Sequence, residues 1–305
     1  MTAATDSKGT KAAVIGLGSM GFGMAQSLAR KGFDVAGSDI NAEAVKRFAA
    51  HGRGAASPAA AAKGADVVVT VVVNAAQTRA VLFGSDGAAD AMSPGAVIIS
   101  SATMSPKDAE ALATQAESRG LLYLDAPISG GAARAAEGAL TILASGTADT
   151  FTMAQPALDA MAAKLYRLGD KPGIGAAFKM VNQLLAGVHI AAACEAIVFA
   201  KHLGLDMRKV YEVITGSAGN SWMFENRVPH VLDGDYTPRS AVDIFTKDLG
   251  IISDMSRDAK FPTPIASEAL QMFLATAAAG MGRDDDASVA RLYAQITGLS
   301  LPGKS

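Results

Sequence analysis

One lysine stands out by the company it keeps. Between Gly175 and Lys201 the only formally charged residues are Lys179 and Glu195, in a run dominated by Ala, Val, Ile and Leu. A segment that is apolar on nearly all faces reads as a helix buried in a protein interior. Lysine is almost never placed there without a partner or a purpose. Burial disfavours an ammonium ion and moves a lysine toward the range in which a general acid/base works. Asn182 and Gln183 follow at spacings of three and four, on the same helical face. The alternative is a lysine in an exposed first turn, its amine reaching out to water.

A second cluster carries different chemistry. Gly16, Gly18 and Gly21, with Leu17, Ser19 and Met20 between them, spell G-x-G-x-x-G directly after the β-branched run at Val14-Ile15 and directly before a helical stretch. The first glycine permits a tight turn, the second lets backbone approach a pyrophosphate, and the third lets helix and strand pack closely. The pyrophosphate would meet free N–H groups and the positive end of the helix dipole. Asp39 ends the next strand, where an acidic side chain hydrogen-bonds ribose hydroxyls and repels a 2′-phosphate, so NAD is favoured over NADP. Asp39 could also cap the helix that starts near Asn41. The first arginine after it, Arg47, is poorly placed to clamp a 2′-phosphate.

Three further loops fall where ligands collect in open α/β sheets, at the carboxyl ends of strands. They are Val73-Asn74, Ser101-Ala102-Thr103, and Ser129-Gly130-Gly131 after Asp125. Successive glycines can aim N–H groups into one concavity, and the Ser129 hydroxyl adds a donor, a combination suited to a carboxylate. Thr103 could equally cap the helix beginning at Ser105-Pro106. Lys247-Asp248 reads first as part of a surface ion pair with Asp243. The four histidines are scattered, with no metal-ligand spacing, and the single cysteine, Cys194, lies among alanines as a small buried hydrophobe. No metal site is expected.

The elements that must hold these groups follow from the apolar runs. From Lys11 to Leu168, short runs at Val14-Ile15, Val35–Ser38, Val67–Val73, Val97–Ile99, Leu121–Leu124 and Leu140–Leu143 alternate with helical stretches. Strands apolar on both faces and spaced by helices imply a parallel sheet covered on two sides. The expected fold is an α/β Rossmann-type doubly wound parallel sheet over residues 1–168, followed by an all-α domain over 169–305. The Gly- and Pro-rich stretch 169–175 forms the link into a long helix over about 176–203. Shorter helices are expected at Arg208–Ile214, Ala241–Asp258 and Ile265–Ala279. Half the 305 residues are hydrophobic, 18% are charged, and the net charge is −2, which points away from nucleic acid and anionic membranes as partners. The polar first ten residues lack a signal-peptide core, and no run is flanked as a membrane span, so a cytoplasmic location is expected.

Taken in order, the segments IGLGSMGFGMA at Ile15, DAPISGG at Asp125, GIGAAFKMVNQ at Gly173 and KDLG at Lys247 resemble the 3-hydroxyisobutyrate dehydrogenase family of β-hydroxyacid dehydrogenases, from about Lys11 to Leu299. The resemblance implies that Lys179 exchanges a proton with the reacting hydroxyl while hydride moves to nicotinamide. It implies that Ser129, Gly130 and Gly131 hold the substrate carboxylate and that Asn182 orients the substrate. Thr103 and Lys247 would contact the cofactor, with Val73, Asn74 and Thr78 near it. Gln183, Gly23 and Asn74 depart from what many members carry. KMVNQLLAGVHIAAACEA together with GNSWMFENR at Gly219 looks closest to the subgroup that oxidises L-threonate at C2 to the 2-oxo acid. Related alternatives are a tartronate semialdehyde or 3-hydroxyisobutyrate type enzyme, and a different class would be a non-catalytic NAD-binding sensor. The charge-poor helices of the second half need cover that a partner subunit could supply, and the resemblance implies a small hydroxy acid substrate and a homodimer or homotetramer.

Overall fold

The computed structural model describes residues 9–303, so most of the polar N-terminal stretch lies outside the described residues. Nine strands form a single sheet: β1 Lys11–Ile15, β2 Asp34–Ser38, β3 Arg53–Gly54, β4 Val67–Thr70, β5 Val97–Ser100, β6 Leu122–Asp125, β7 Ile128–Ser129, β8 Leu140–Ser145 and β9 Ala162–Gly169. Their order is β3-β2-β1-β4-β5-β6-β8-β7, with β9 on β8. The first six strands are parallel in the 3-2-1-4-5-6 order of a doubly wound nucleotide-binding sheet. The chain reverses after β6: β8 runs antiparallel to both β6 and β7, and β9 returns parallel to β8.

The helices among these strands are α1 Gly21–Arg30, α2 Ala42–Phe48, α3 Pro58–Ala62, α4 Ala75–Phe83, α5 Pro106–Glu117, α6 Gly131–Glu137 and α7 Ala148–Met161. Alternate strand residues feed two apolar layers. Val14, Val35, Val69, Val97, Ile99 and Leu124 pack on one face with Met24, Leu28 and Phe151 from the helices. Ile15, Ala36, Val68, Ile98 and Tyr123 pack on the other with Leu82, Leu112 and Ala116. Each such buried aliphatic side chain contributes roughly 1.5–3 kcal/mol relative to exposure.

The sequence reading needs three adjustments here. The valine run beginning at Val67 stops being strand at Thr70: the Val71 N–H still reaches Ile15 O at 2.8 Å, and the chain then turns out of the sheet toward α4. Strands β3, β7 and β9 were not expected. The sheet is therefore mixed, parallel through β6 and reversed at one edge.

The remaining helices are α8 Ile174–His202, α9 Met207–Thr215, α10 Trp222–Asp233, α11 Val242–Ala259, α12 Pro264–Thr276 and α13 Val289–Thr297. The chain packs as two compact units, Met1–Lys179 and Met180–Ser305, the division falling inside α8. The core of the second unit gathers Ile190, Ile197, Phe224, Phe245, Leu249 and Phe273, and the Phe245 and Phe273 rings stack with centroids 5.1 Å apart. Cys194 is buried there, as its neighbours suggested. Helix α8 is long and apolar enough to cross a membrane by length and composition, and 56% of its most apolar window is buried. Helix α10 was not among the expected helices; the GNSWMFENR segment runs into it, and Ser221 caps it, its hydroxyl accepting from Phe224 N.

Candidate active site

The glycine turn sits between β1 and α1, where the sheet order reverses direction between β1 and β4. Gly16 has φ +98°, and a Cβ there would lie 2.3 Å from Val71 O. At Gly21 a Cβ would meet Gly16 O at 1.8 Å, whereas Gly18 faces open space. The first and third glycines are thus demanded by packing, and the second leaves room for a ligand against its backbone. The Gly16 N–H donates to Ser38 O at 2.9 Å, fixing the turn to the end of β2. Beside it lies a cleft of about 490 Å³ lined by Leu17, Gly18, Ser19, Asn41, Glu43 and Arg47 among others. Ser19 and Gly18 are exposed, Met20 is half-buried and Leu17 is buried. An open cradle without obstructing side chains, joined to a cleft reaching past the end of β2, fits the pyrophosphate and ribose of a dinucleotide.

Asp39 is half-buried at the edge of this cradle. Its Oδ2 accepts the Leu17 N–H at 2.6 Å and its Oδ1 accepts the Asn41 N–H at 2.7 Å. Capping of α2 falls to Asn41, which accepts from Glu43 N at 3.0 Å. Arg47 lines the same cleft, its guanidinium over the Phe22 ring at 4.7 Å.

The loops after β4 and β5 are organised by their caps. Asn74 caps α4, accepting from Gln77 N at 2.9 Å, while Gln77 Oε1 takes the Val73 N–H at 2.9 Å. The buried Thr78 hydroxyl donates back to Asn74 O at 2.9 Å. These three predicted residues therefore form one rigid turn, with Val73 exposed. Thr103 is half-buried and leaves the capping of α5 to Ser105, which accepts from Asp108 N at 3.1 Å. After β6 the chain makes the short strand β7, and Ser129 pairs with Thr141. Gly130 and Gly131 follow at φ +138° and +80°, exposed at the start of α6.

Lys179 lies in the second turn of α8 and is only 6% exposed, so the exposed-turn alternative is excluded. Its helix begins on the sheet. The Asp125 carboxylate, at the end of β6, accepts N–H groups of Gly173 at 2.9 Å and Ala176 at 2.8 Å. Ser145 Oγ donates to the same Asp125 oxygen at 3.3 Å and accepts the Gly175 N–H at 2.9 Å. Burial pushes the Asp125 carboxyl up to about 6, against these hydrogen bonds, which favour the ionised form. Asp125 belongs to a row of buried polar residues across four adjacent strands, Thr70, Ser100, Asp125 and Ser145, each in register with the next. Sequence reading placed Asp125 in a motif without giving it a task. A carboxylate at the apolar end of a buried strand was the available signal.

In the second unit Asn182 is exposed, and its amide donates to Gln183 Oε1 at 3.0 Å. The buried Gln183 donates in turn to Asp248 Oδ2, and Asp248 pairs through Oδ1 with Lys247 Nζ at 2.8 Å. Asn182 and Lys247 are thus joined through Gln183 and Asp248. Lys247 pairs with the adjacent Asp248, which is 1% exposed, a partner that spacing did not suggest. Among the described residues, no group of three or more metal-ligating side chains occurs.

A doubly wound sheet with a glycine cradle at its reversal point defines a dinucleotide-binding fold, and the relatives of this chain make it an NAD-dependent oxidoreductase acting on a hydroxy acid. Residues 11–169 match the family described as the NAD binding domain of 6-phosphogluconate dehydrogenase, and residues 173–293 match the NAD-binding family of NADP-dependent 3-hydroxyisobutyrate dehydrogenase. The chain is 55% identical to an L-threonate dehydrogenase of Cupriavidus necator, covering 96% of this chain and 98% of that protein. It is 46% identical to the L-threonate dehydrogenase of Escherichia coli K12, over 95% of this chain and 96% of that one. A crystal structure of 3-hydroxyisobutyrate dehydrogenase from Salmonella typhimurium superposes with TM-score 0.87 at 48% identity, covering 92% of this chain and 99% of that chain. The chain belongs to the 3-hydroxyisobutyrate dehydrogenase family of β-hydroxyacid dehydrogenases.

Proposed function

We propose that the protein oxidises L-threonate at C2 to the 2-oxo acid. Near-full-length identity to two proteins named L-threonate dehydrogenase supports that substrate. The buried Lys179 carries the chemistry. In this reading its neutral amine takes the proton of the C2 hydroxyl as the C2–H bond breaks and the C–O bond becomes C=O. Bound NAD supplies the acceptor for the departing hydride. The cradle of Gly16, Leu17, Gly18, Ser19, Met20 and Gly21 would hold its pyrophosphate and Asp39 its adenine-side ribose, with Val73, Asn74, Thr78, Thr103 and Lys247 at its other contacts. Ser129, Gly130 and Gly131 would hold the substrate carboxylate by backbone N–H groups and one hydroxyl, and Asn182 would orient the carbon chain.

The test is a panel of C3 and C4 hydroxy acids, including both threonate enantiomers, with NAD. Turnover of L-threonate above all others is expected. A second reading, favoured by the similarity to the Salmonella 3-hydroxyisobutyrate dehydrogenase, would instead show preference for 3-hydroxyisobutyrate and would refute the threonate assignment.

We also infer a homodimer or homotetramer. Phe178, Val181 and Leu185 lie on one helical stripe of α8 and are 52%, 63% and 49% exposed, an apolar strip that water covers poorly. Sedimentation velocity should show an oligomer that Val181→Asp weakens. A wild-type monomer at micromolar concentration would contradict the inference.

A further inference from the structure

We infer that Asp125 is a positioning residue for Lys179, its carboxylate holding the first turn of α8 so that the lysine is set at a fixed place over the end of the sheet. The inference rests on the reading of Lys179 as the proton-transfer group.

The geometry converges on one atom. Asp125 Oδ2 receives the N–H groups of Gly173 and Ala176 and the hydroxyl of Ser145. Ser145 meanwhile takes the intervening N–H of Gly175. A helix start leaves its first N–H groups without partners inside the helix. Here three of the amides at the head of a 29-residue helix are satisfied by two side chains from β6 and β8. No ordinary cap residue adjacent in sequence does this work. The acceptors are 48, 30 and 51 residues away in the chain, so the bonds fix the helix to the sheet and go beyond satisfying its backbone.

Close packing adds to the restraint. A Cβ at Gly175 would lie 2.4 Å from Leu143 O and 3.0 Å from Asp125 O, so the helix head rests flush on β6 and β8. Lys179 follows Gly175 and Ala176 at spacings of four and three, on the face of these anchored residues. Side chains on a helix lean toward its N-terminus, so the lysine extends over the very turn that Asp125 holds. Loss of the anchor would free that turn to shift, and a shift of about 1 Å at a reacting group can cost about 100-fold in rate.

The test uses the full chain with Asp125→Ala, Asp125→Asn, Ser145→Ala and Lys179→Ala, measuring NAD affinity, kcat and KM on the best hydroxy acid of the panel, and hydrogen exchange of the peptide spanning 173–183. Because one acceptor oxygen does the work, asparagine can supply it. Asp125→Ala is expected to lose about 100-fold in kcat, with NAD affinity and KM little changed and faster exchange in that peptide. Asp125→Asn should restore most of both, and Ser145→Ala should fall between. If Asp125→Ala fails to fold, kcat loss and faster exchange in Ser145→Ala, with Asp125→Asn near wild type, still support the proposal. Unchanged kcat in a folded Asp125→Ala, or in Ser145→Ala when the former does not fold, overturns it. A rise in KM or a fall in NAD affinity with kcat unchanged would assign Asp125 to binding and also overturn it. Undiminished turnover by Lys179→Ala is a separate outcome that refutes the lysine reading and this inference with it.

Discussion

The carboxylate of Asp39 accepts the backbone N–H of Leu17 at 2.6 Å, so the residue proposed to bind the ribose also holds the glycine turn. One side chain at the end of β2 thereby ties together two parts of the proposed dinucleotide site that lie 22 residues apart in sequence. Its other oxygen takes the Asn41 N–H, which holds the side chain in place beside the cleft that Arg47 also lines.

Replacing Asp39 by Ser removes both the repulsion toward a 2′-phosphate and the tie to Leu17. The ratio of kcat/KM with NADP to that with NAD should rise about tenfold or more, a change of about 1.4 kcal/mol. Affinity for NAD should fall in the same variant. A wild-type enzyme that prefers NADP would contradict this account of Asp39.

Gln183 and Asp248 should matter through the residues they join. Asp248→Ala removes the buried partner of Lys247 and leaves the Gln183 amide unsatisfied, costing on the order of 3 kcal/mol of stability. The loss should appear as a lower midpoint in urea together with weaker NAD binding. A variant as stable as wild type would show that the pair contributes nothing net.

The second unit carries its own pH signature. Asp286 is buried against Arg227, with side-chain oxygens 2.6 and 3.1 Å from the guanidinium, and burial pushes its carboxyl up to about 6 despite that cation. Its neighbour Asp285 is held below the usual carboxylate range: burial would raise it, but the His230 ring at 2.8 Å and the backbone N–H groups of Arg239 and Ala287 outweigh that. A carboxyl whose folded value exceeds its unfolded one gives stability that is present at low pH and lost as pH rises through the folded value. For Asp286 the window runs from about 4 to about 6, and the span is up to roughly 3 kcal/mol. The unfolding free energy of Asp286→Asn minus that of wild type should therefore increase across this window. A difference that stays flat or falls would contradict the assignment.

Much of the architecture was legible because burial imposes simple patterns. Val14, Val35, Val69 and Ile99 alternate with Ile15, Ala36, Val68 and Ile98, and each set fills one face of the sheet. The turn at Gly16 was legible for a local reason: strand, glycines and helix are consecutive. What escaped was either short or distant. Arg53–Gly54 and Ile128–Ser129 are strands of two residues each, too brief for any periodicity. Ala162–Gly169 is a largely exposed strand carrying Lys164 and Arg167, without the apolar run that marked its neighbours. Helix α10 was hidden by Pro229 in its interior. Asp125 could be placed by sequence but not understood, since its partners Gly173 and Ala176 meet it only after folding. The Lys247–Asp248 pair escaped for a related reason: spacing pointed only to Asp243, and packing also puts the buried Asp248 beside the lysine.

The most direct measurement of the central claim is the reaction of Lys179→Ala with NAD and L-threonate, beside calorimetric titration of the same variant with NAD. The account predicts that NAD affinity stays as in wild type while kcat falls by about 100-fold or more, the loss expected when a general acid/base is removed. Turnover undiminished in a folded, NAD-binding Lys179→Ala enzyme would contradict it.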